Sequence, residues 1–146
     1  MPRISEAVEI SAPVEQVWRA VHVDIGSIPA WSQNLTRCEV VGGGRLEVGS
    51  HLLYVARLPA GRTYDLDLTV KVYDEFKRCS GTLETGQLTG TWSWTYRSTA
   101  RTTRVAYTTE VKVRGLLRVT GGLVQGQIEQ DVRRNLQALK RFVEGQ

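Results

Sequence analysis

The order of hydrophobic patterns along the chain predicts an α+β fold in which a curved antiparallel sheet of seven strands packs against one long C-terminal helix. Residues 3–10 alternate between apolar and polar side chains, and residues 14–25 then carry apolar side chains at helical spacing. Residues 34–113 alternate almost throughout, whereas residues 123–143 return to a helical period. Short connectors between successive strands favour an antiparallel meander, since parallel neighbours require long crossovers.

Two short helices are predicted between the first and second strands. Pro13 favours a helix start because its φ is preset and it has no amide hydrogen, and Gly26 is the expected C-terminal cap. Residues 27–31 predict a second short helix or a tight turn. In the last helix, Gly126 indicates either that space is needed there or that a loop extends to Gly122. The apolar stripe of this helix comprises Val124, Ile128, Val132, Leu136, Leu139 and Val143.

Alternation within the strands separates an inner face from an outer face. The inner face combines aromatic side chains with small residues such as Ser50, Gly81 and Gly90, and it also includes Val48 and Val72. Aromatic walls bearing a few hydroxyl groups are typical of a pocket for a flat apolar ligand. The strands are predicted at 3–10, 34–42, 45–57, 63–74, 78–84, 87–98 and 101–113. The inner residues predicted to line the pocket are Leu52, Tyr54, Tyr64, Leu66, Trp92, Trp94 and Tyr107.

Composition bounds the class of protein. A chain of 146 residues predicts one domain over residues 1–146, and the net charge of +4 comes mostly from scattered arginines, which does not favour a nucleic-acid partner. No apolar run approaches the ~20 residues that span a bilayer, and the N-terminus lacks a secretory pattern, so we expect a cytoplasmic protein without stable membrane insertion. Cys38 and Cys79 are expected to be reduced thiols. With His22 and His51 as the only histidines, neither a metal site nor a cofactor is predicted.

Several short motifs resemble the START-like, or SRPBCC, helix-grip superfamily, which includes polyketide cyclases and the birch-pollen allergen. The motifs are Ile10–Trp18, Ile28–Trp31, Val48–Gly49 and Asn135–Lys140, and together they span nearly the whole chain. The resemblance implies that the sheet grips the C-terminal helix around a cavity. It also implies that Trp31 and the start of the last helix, Val124 and Ile128, line that cavity.

A strand-to-strand turn at residues 57–63 is predicted to form the entrance of the cavity. Gly61 and the exposed charges of Arg57 and Arg62 are expected to make this turn mobile. The entrance loop comprises Leu58, Pro59, Ala60 and Gly61.

The sequence has few residues arranged in patterns typical of catalysis, and no catalytic residue is assigned. His22 is expected on the surface or at its rim, and His51 is expected to face outward. Glu6 alternates in step with the inward-facing residues of its strand, so it is expected to be a lone acid on the inner face. Cyclases of the superfamily place a serine and an arginine close together on one inner strand, but Ser50 and Arg57 fall on opposite faces here.

The leading hypothesis is therefore non-enzymatic binding or carriage of a small hydrophobic ligand, such as a lipid, polyketide or isoprenoid-like compound. The alternatives are a polyketide cyclase, dehydratase or hydrolase and a protein-interaction module. The oligomeric state, including a homodimer, stays open.

Overall fold

The computed structural model describes the backbone of residues 3–57, 61–86, 88–113 and 121–146, with the side chains of all of these except 113 and 121–125. Its strands are β1 Arg3–Ile10, β2 Leu35–Val40, β3 His51–Arg57, β4 Thr63–Asp74, β5 Arg78–Thr85, β6 Leu88–Ser98 and β7 Thr103–Val113. They form one antiparallel seven-stranded sheet in the order β1-β7-β6-β5-β4-β3-β2. The predicted α+β class and helix-grip architecture are confirmed.

Short helices connect β1 to β2, as predicted. Helix α1 spans Val14–Trp18, continues as a π-helical turn over Arg19–Val23, and is followed by a 3-10 segment over Ile25–Ala30. The predicted cap at Gly26 is wrong, because the first helix ends at Asp24 (φ −88°, ψ 57°) and Gly26 lies inside the 3-10 segment.

The C-terminal helix α2 spans Gly121–Glu144, so the alternative of a loop extending to Gly122 is wrong. Among the described side chains of its predicted stripe, Ile128 is half-buried and the rest, Val132, Leu136, Leu139 and Val143, are buried. Two contacts tie α2 to β1: Arg133 Nη2 lies 2.8 Å from Glu6 Oε1, and Lys140 Nζ donates to the Glu9 carbonyl at 2.8 Å. No described helix is long and apolar enough to cross a membrane.

The third strand is shorter than predicted, because residues 45–50 form a loop, with a turn at Val48 and Gly49, and β3 begins only at His51. Gly49 adopts a φ of +94°, which favours glycine, and its amide donates to the Val70 carbonyl at 2.8 Å. As a result, Val48 is 63% exposed and does not belong to the inner face, contrary to the prediction.

A β-bulge in β4 reverses the inner and outer phases of this strand. Val70 pairs with Gly81, but the register then shifts so that Val72 pairs with Ser80 and Tyr73 with Cys79. Val72 is consequently 38% exposed on the outer face, where the prediction had placed it inward. Tyr73 takes the inner position and packs against the core. Strict alternation cannot anticipate this reversal, since a bulge inserts one unpaired residue.

Candidate functional site

The inner face of the sheet, which packs against α2, brings several predicted pocket residues together. Tyr54 pairs with Leu66 between β3 and β4, and Trp94 pairs with Tyr107 between β6 and β7. The rings of Trp94 and Tyr107 lie 4.7 Å apart at a tilt of 56°. These four side chains are half-buried, whereas Leu52 beside them is buried. The centre of the inner face is thus an aromatic surface that its surroundings cover only in part.

Two other predicted pocket residues are engaged in holding the sheet together. Trp92 is 5% exposed, and its indole N–H donates to the Thr82 carbonyl at 3.0 Å. Tyr64 donates its phenol proton to the Thr85 carbonyl at 3.4 Å, near the turn between β5 and β6. Both residues lie in the inner phase of their strands, as predicted, but their polar atoms bind backbone.

An aromatic cluster under α1 fills one end of the inner face. Trp18 lies at its centre, with ring distances of 4.3 Å to His22, 5.0 Å to Tyr96 and 5.5 Å to Tyr73. His22 Nε2 and the Tyr96 phenol oxygen share a hydrogen bond of 2.6 Å. His22 is only 4% exposed, so its predicted surface or rim position is wrong. The spacing of four residues between Trp18 and His22 could have indicated that His22 is buried, since it places both side chains on one helical face.

Every titratable group with a resolved shift in this central region is displaced toward its uncharged form. Burial lowers the pKa of His22 from 6.5 to about 3, because the imidazolium would lose its hydration. Burial likewise raises the pKa of the Cys38 and Cys79 thiols to about 12. Burial raises the pKa of Tyr107 to about 12, outweighing the opposite influence of the Thr109 hydroxyl.

The Tyr54 phenol reaches the middle of this uncharged region. Burial first, and then the nearby thiols of Cys38 and Cys79 and the Tyr107 phenol, raise its pKa well above the ordinary value of 10. Burial also raises the pKa of Tyr96, with smaller contributions from Cys79 and Tyr54. Among the described residues, no hydrogen-bond partner is found for the Tyr54 hydroxyl. The site therefore presents phenols and thiols that stay protonated across the neutral pH range.

The residues expected from the resemblance fall in different places. Trp31 is buried, and its indole N–H has no partner among the described residues. Ile128 packs against the core from α2, whereas the side chain of Val124 lies outside the described residues. In the predicted entrance loop, Gly61 is exposed with a φ of +76°. Leu58, Pro59 and Ala60 lie outside the described residues.

A polar network joins α2 to the start of β2, and the sequence analysis did not predict it. Asn135 Nδ2 donates to Asn34 Oδ1 at 2.8 Å, and the Ser32 hydroxyl donates to Asn135 Oδ1 at 3.1 Å. Asp131 accepts from Gln127 at 3.0 Å, and burial raises the pKa of this carboxyl group despite that hydrogen bond. The amides satisfy one another across elements distant in sequence, so no local pattern marks them.

The candidate catalytic groups do not converge. Glu6 is not a lone acid, since Arg133 binds it. Ser50 Oγ accepts from the Glu47 amide at 3.0 Å before β3 begins, while Arg57 is exposed at the other end of that strand. His51 points outward, as predicted. Its Nδ1 atom lies 3.2 Å from Thr69 Oγ1. Within the described chain, no group of three or more His, Cys, Asp and Glu side chains could hold a metal ion.

The fold has many relatives among solved structures. A protein of Thermus thermophilus is 21% identical, with 97% of each chain covered and a TM-score of 0.80. A START superfamily protein from Mycobacterium smegmatis is 19% identical, with 98% of this chain and 97% of that one covered and a TM-score of 0.80. The Zhui aromatase/cyclase from a Streptomyces species is 12% identical, with 98% and 93% covered and a TM-score of 0.83. At these identities the likeness shows the fold.

These observations define the class as a protein with the helix-grip fold. Residues 1–144 match the model of the family described as polyketide cyclase / dehydrase and lipid transport, and the chain belongs to that family. No curated protein sequence gives a significant match.

Proposed function

We propose that this protein binds a small hydrophobic ligand, of the lipid, polyketide or isoprenoid-like type, between the inner face of the sheet and α2. The partial exposure of Tyr54, Trp94 and Tyr107 carries the proposal, because side chains on a core-facing surface are ordinarily sealed by close packing. Membership of a family whose description includes lipid transport supports the same function.

The chemistry of the surface suits a flat apolar molecule. The Trp94 and Tyr107 rings offer π-faces for stacking, and Leu52 and Leu66 offer aliphatic contacts beside Tyr54. On the helix side, Ile128 and Val124 are the proposed contacts, with Trp31 as a further wall. Residues 58–61 are the proposed entrance.

Native mass spectrometry of protein purified from its own host, followed by organic extraction, tests this proposal. A stoichiometric apolar adduct that the extraction releases is the expected result, because a protein that carries its ligand retains it through purification. A clean apo mass, together with no saturable binding of the neutral fluorophore N-phenyl-1-naphthylamine, would contradict the proposal.

Replacing Trp94 with leucine should weaken binding of N-phenyl-1-naphthylamine about tenfold. The change removes an aromatic contact worth up to about 1.5 kcal/mol while leaving an apolar side chain in place. The matched control is Val72→Thr, which alters the outer face of the same sheet and should leave the affinity unchanged. Fluorescence titration measures both dissociation constants, and an unchanged affinity in the Trp94 variant would remove this residue from the site.

A cyclase or dehydratase activity is the second candidate, and it is favoured by the Tyr54 phenol, which has no hydrogen-bond partner among the described residues. A protonated phenol in a buried site can donate a proton to a developing enolate. The test is product formation from a model polyketone. Under this alternative, Tyr54→Phe would abolish turnover and retain binding, whereas a carrier would show no turnover in either form.

A further inference from the structure

The inner face of the sheet carries hydrogen-bonding groups but little charge. On the described parts of the seven strands, the one ionised side chain in the inner phase is Glu6, and Arg133 neutralises it across a 2.8 Å contact at the β1 edge. The other polar groups toward the centre are protonated phenols and thiols. These groups are Tyr54, Tyr96, Tyr107, Cys38 and Cys79.

The lack of a free cation on the described inner face makes binding of an anionic ligand costly. A buried carboxylate must be paired with a cation or lose its hydration without compensation. Two cations that α2 carries toward β1, Arg133 and Lys140, are already bound to Glu6 and Glu144. The burial that raises the pKa of these phenols and thiols also disfavours an anion supplied by a ligand.

The hydroxyl groups on this face favour a ligand that carries a hydrogen-bond acceptor. The Tyr96 phenol is already engaged by His22 at 2.6 Å, and Thr109 donates to the Thr91 carbonyl at 2.8 Å. Tyr54 differs from both, since its hydroxyl has no described partner and lies among the half-buried side chains of the inner face. A neutral oxygen on a ligand, such as a ketone or ether, would satisfy this donor without introducing a charge.

We infer that the ligand is an uncharged aromatic or polycyclic molecule with an acceptor oxygen bound by Tyr54, and that the site excludes carboxylic acids of the same shape, fatty acids included. This inference rests on the proposed function and narrows it to one class of ligand. It separates the protein from carriers of ionised lipids by the electrostatics of its inner face.

Three naphthalenes of nearly equal size test the inference on the full-length protein by displacement of N-phenyl-1-naphthylamine. The compounds are 2-acetylnaphthalene, which is a neutral acceptor, 2-naphthoate, which is an anion at neutral pH, and 2-ethylnaphthalene, which has no acceptor. We expect the ketone to bind at least tenfold more tightly than the carboxylate and several-fold more tightly than the hydrocarbon. In Tyr54→Phe, the ketone and the hydrocarbon should converge, while the carboxylate stays the weakest ligand.

The outcomes separate the inference from the function on which it rests. If the probe itself does not bind, the proposed function fails. If the probe binds but 2-naphthoate competes as well as the ketone, the exclusion of anions is overturned. If the preference for the ketone over the hydrocarbon persists in Tyr54→Phe, the assignment of Tyr54 as the donor is overturned. High salt in every titration suppresses binding of the anion to surface arginines.

Discussion

Replacing Gly81 with alanine is expected to destabilise the folded protein severely. A Cβ atom at this position would lie 1.7 Å from the Thr69 carbonyl oxygen and 2.9 Å from Trp92 Cζ2. The first atom belongs to the backbone of β4, which pairs with β5, so the strands themselves must separate to accommodate the methyl group. We expect a loss of at least about 3 kcal/mol in the free energy of unfolding, which chemical denaturation would measure.

Gly126→Ala is the matched control for this substitution. Gly126 lies in α2, where an added Cβ meets nothing within 4 Å, and alanine should stabilise the helix by about 1 kcal/mol. A Gly81 variant with the denaturation midpoint of the wild type would show that the sheet relaxes around the methyl group. In that case the close approach of β4 and β5 would not be an essential feature of the fold.

The close approach of backbone at Gly81 also explains why small residues occur on the inner face. Gly81 and Gly90 are among the small inner-face residues that the sequence analysis named, and a Cβ on Gly90 would lie 2.0 Å from the Glu110 carbonyl oxygen. Both glycines are therefore needed where neighbouring backbones approach closely. At Gly81 the missing side chain also lets the Trp92 ring lie over the strand, beside the β4 bulge.

The protein is expected to lose stability in acid through His22. Burial lowers the pKa of His22 from 6.5 to about 3 in the folded state, so the unfolded chain binds one more proton between these values. The stabilisation is fully present above pH 6.5 and is lost as the pH falls toward about 3. At about 1.4 kcal/mol per pH unit, the loss should reach roughly 2–3 kcal/mol two units below the upper value.

His22→Gln should remove most of this pH dependence, because an amide keeps a hydrogen-bonding group near Tyr96 and does not titrate. Exposed His51 provides the control, and His51→Gln should retain the acid sensitivity of the wild type. Denaturation midpoints across the acid range measure the effect. Parallel loss of stability in the wild type and in His22→Gln would assign the acid sensitivity to other groups.

Much of the fold was accessible from local periodicity. The boundaries of β1 and β4 match the prediction, and the inner phases of Tyr54, Trp94 and Tyr107 follow from alternation along their own strands. The buried stripe of α2 follows from helical spacing. Each of these properties depends on residues within one element, where the geometry of the backbone repeats.

Properties that depend on register or on distant partners required the tertiary structure. The β4 bulge sends Val72 outward, burial of the first helix makes His22 a neutral partner of Tyr96, and Asn34 meets Asn135 across the fold. None of these contacts produces a periodic pattern in the sequence, because each depends on how two separate elements are aligned. The sequence by itself determined the α+β class, the antiparallel meander and the aromatic character of the inner face. Only the tertiary structure decided which of those aromatics bind backbone and which are left half-buried, since hydrogen bonds and burial are set where elements meet.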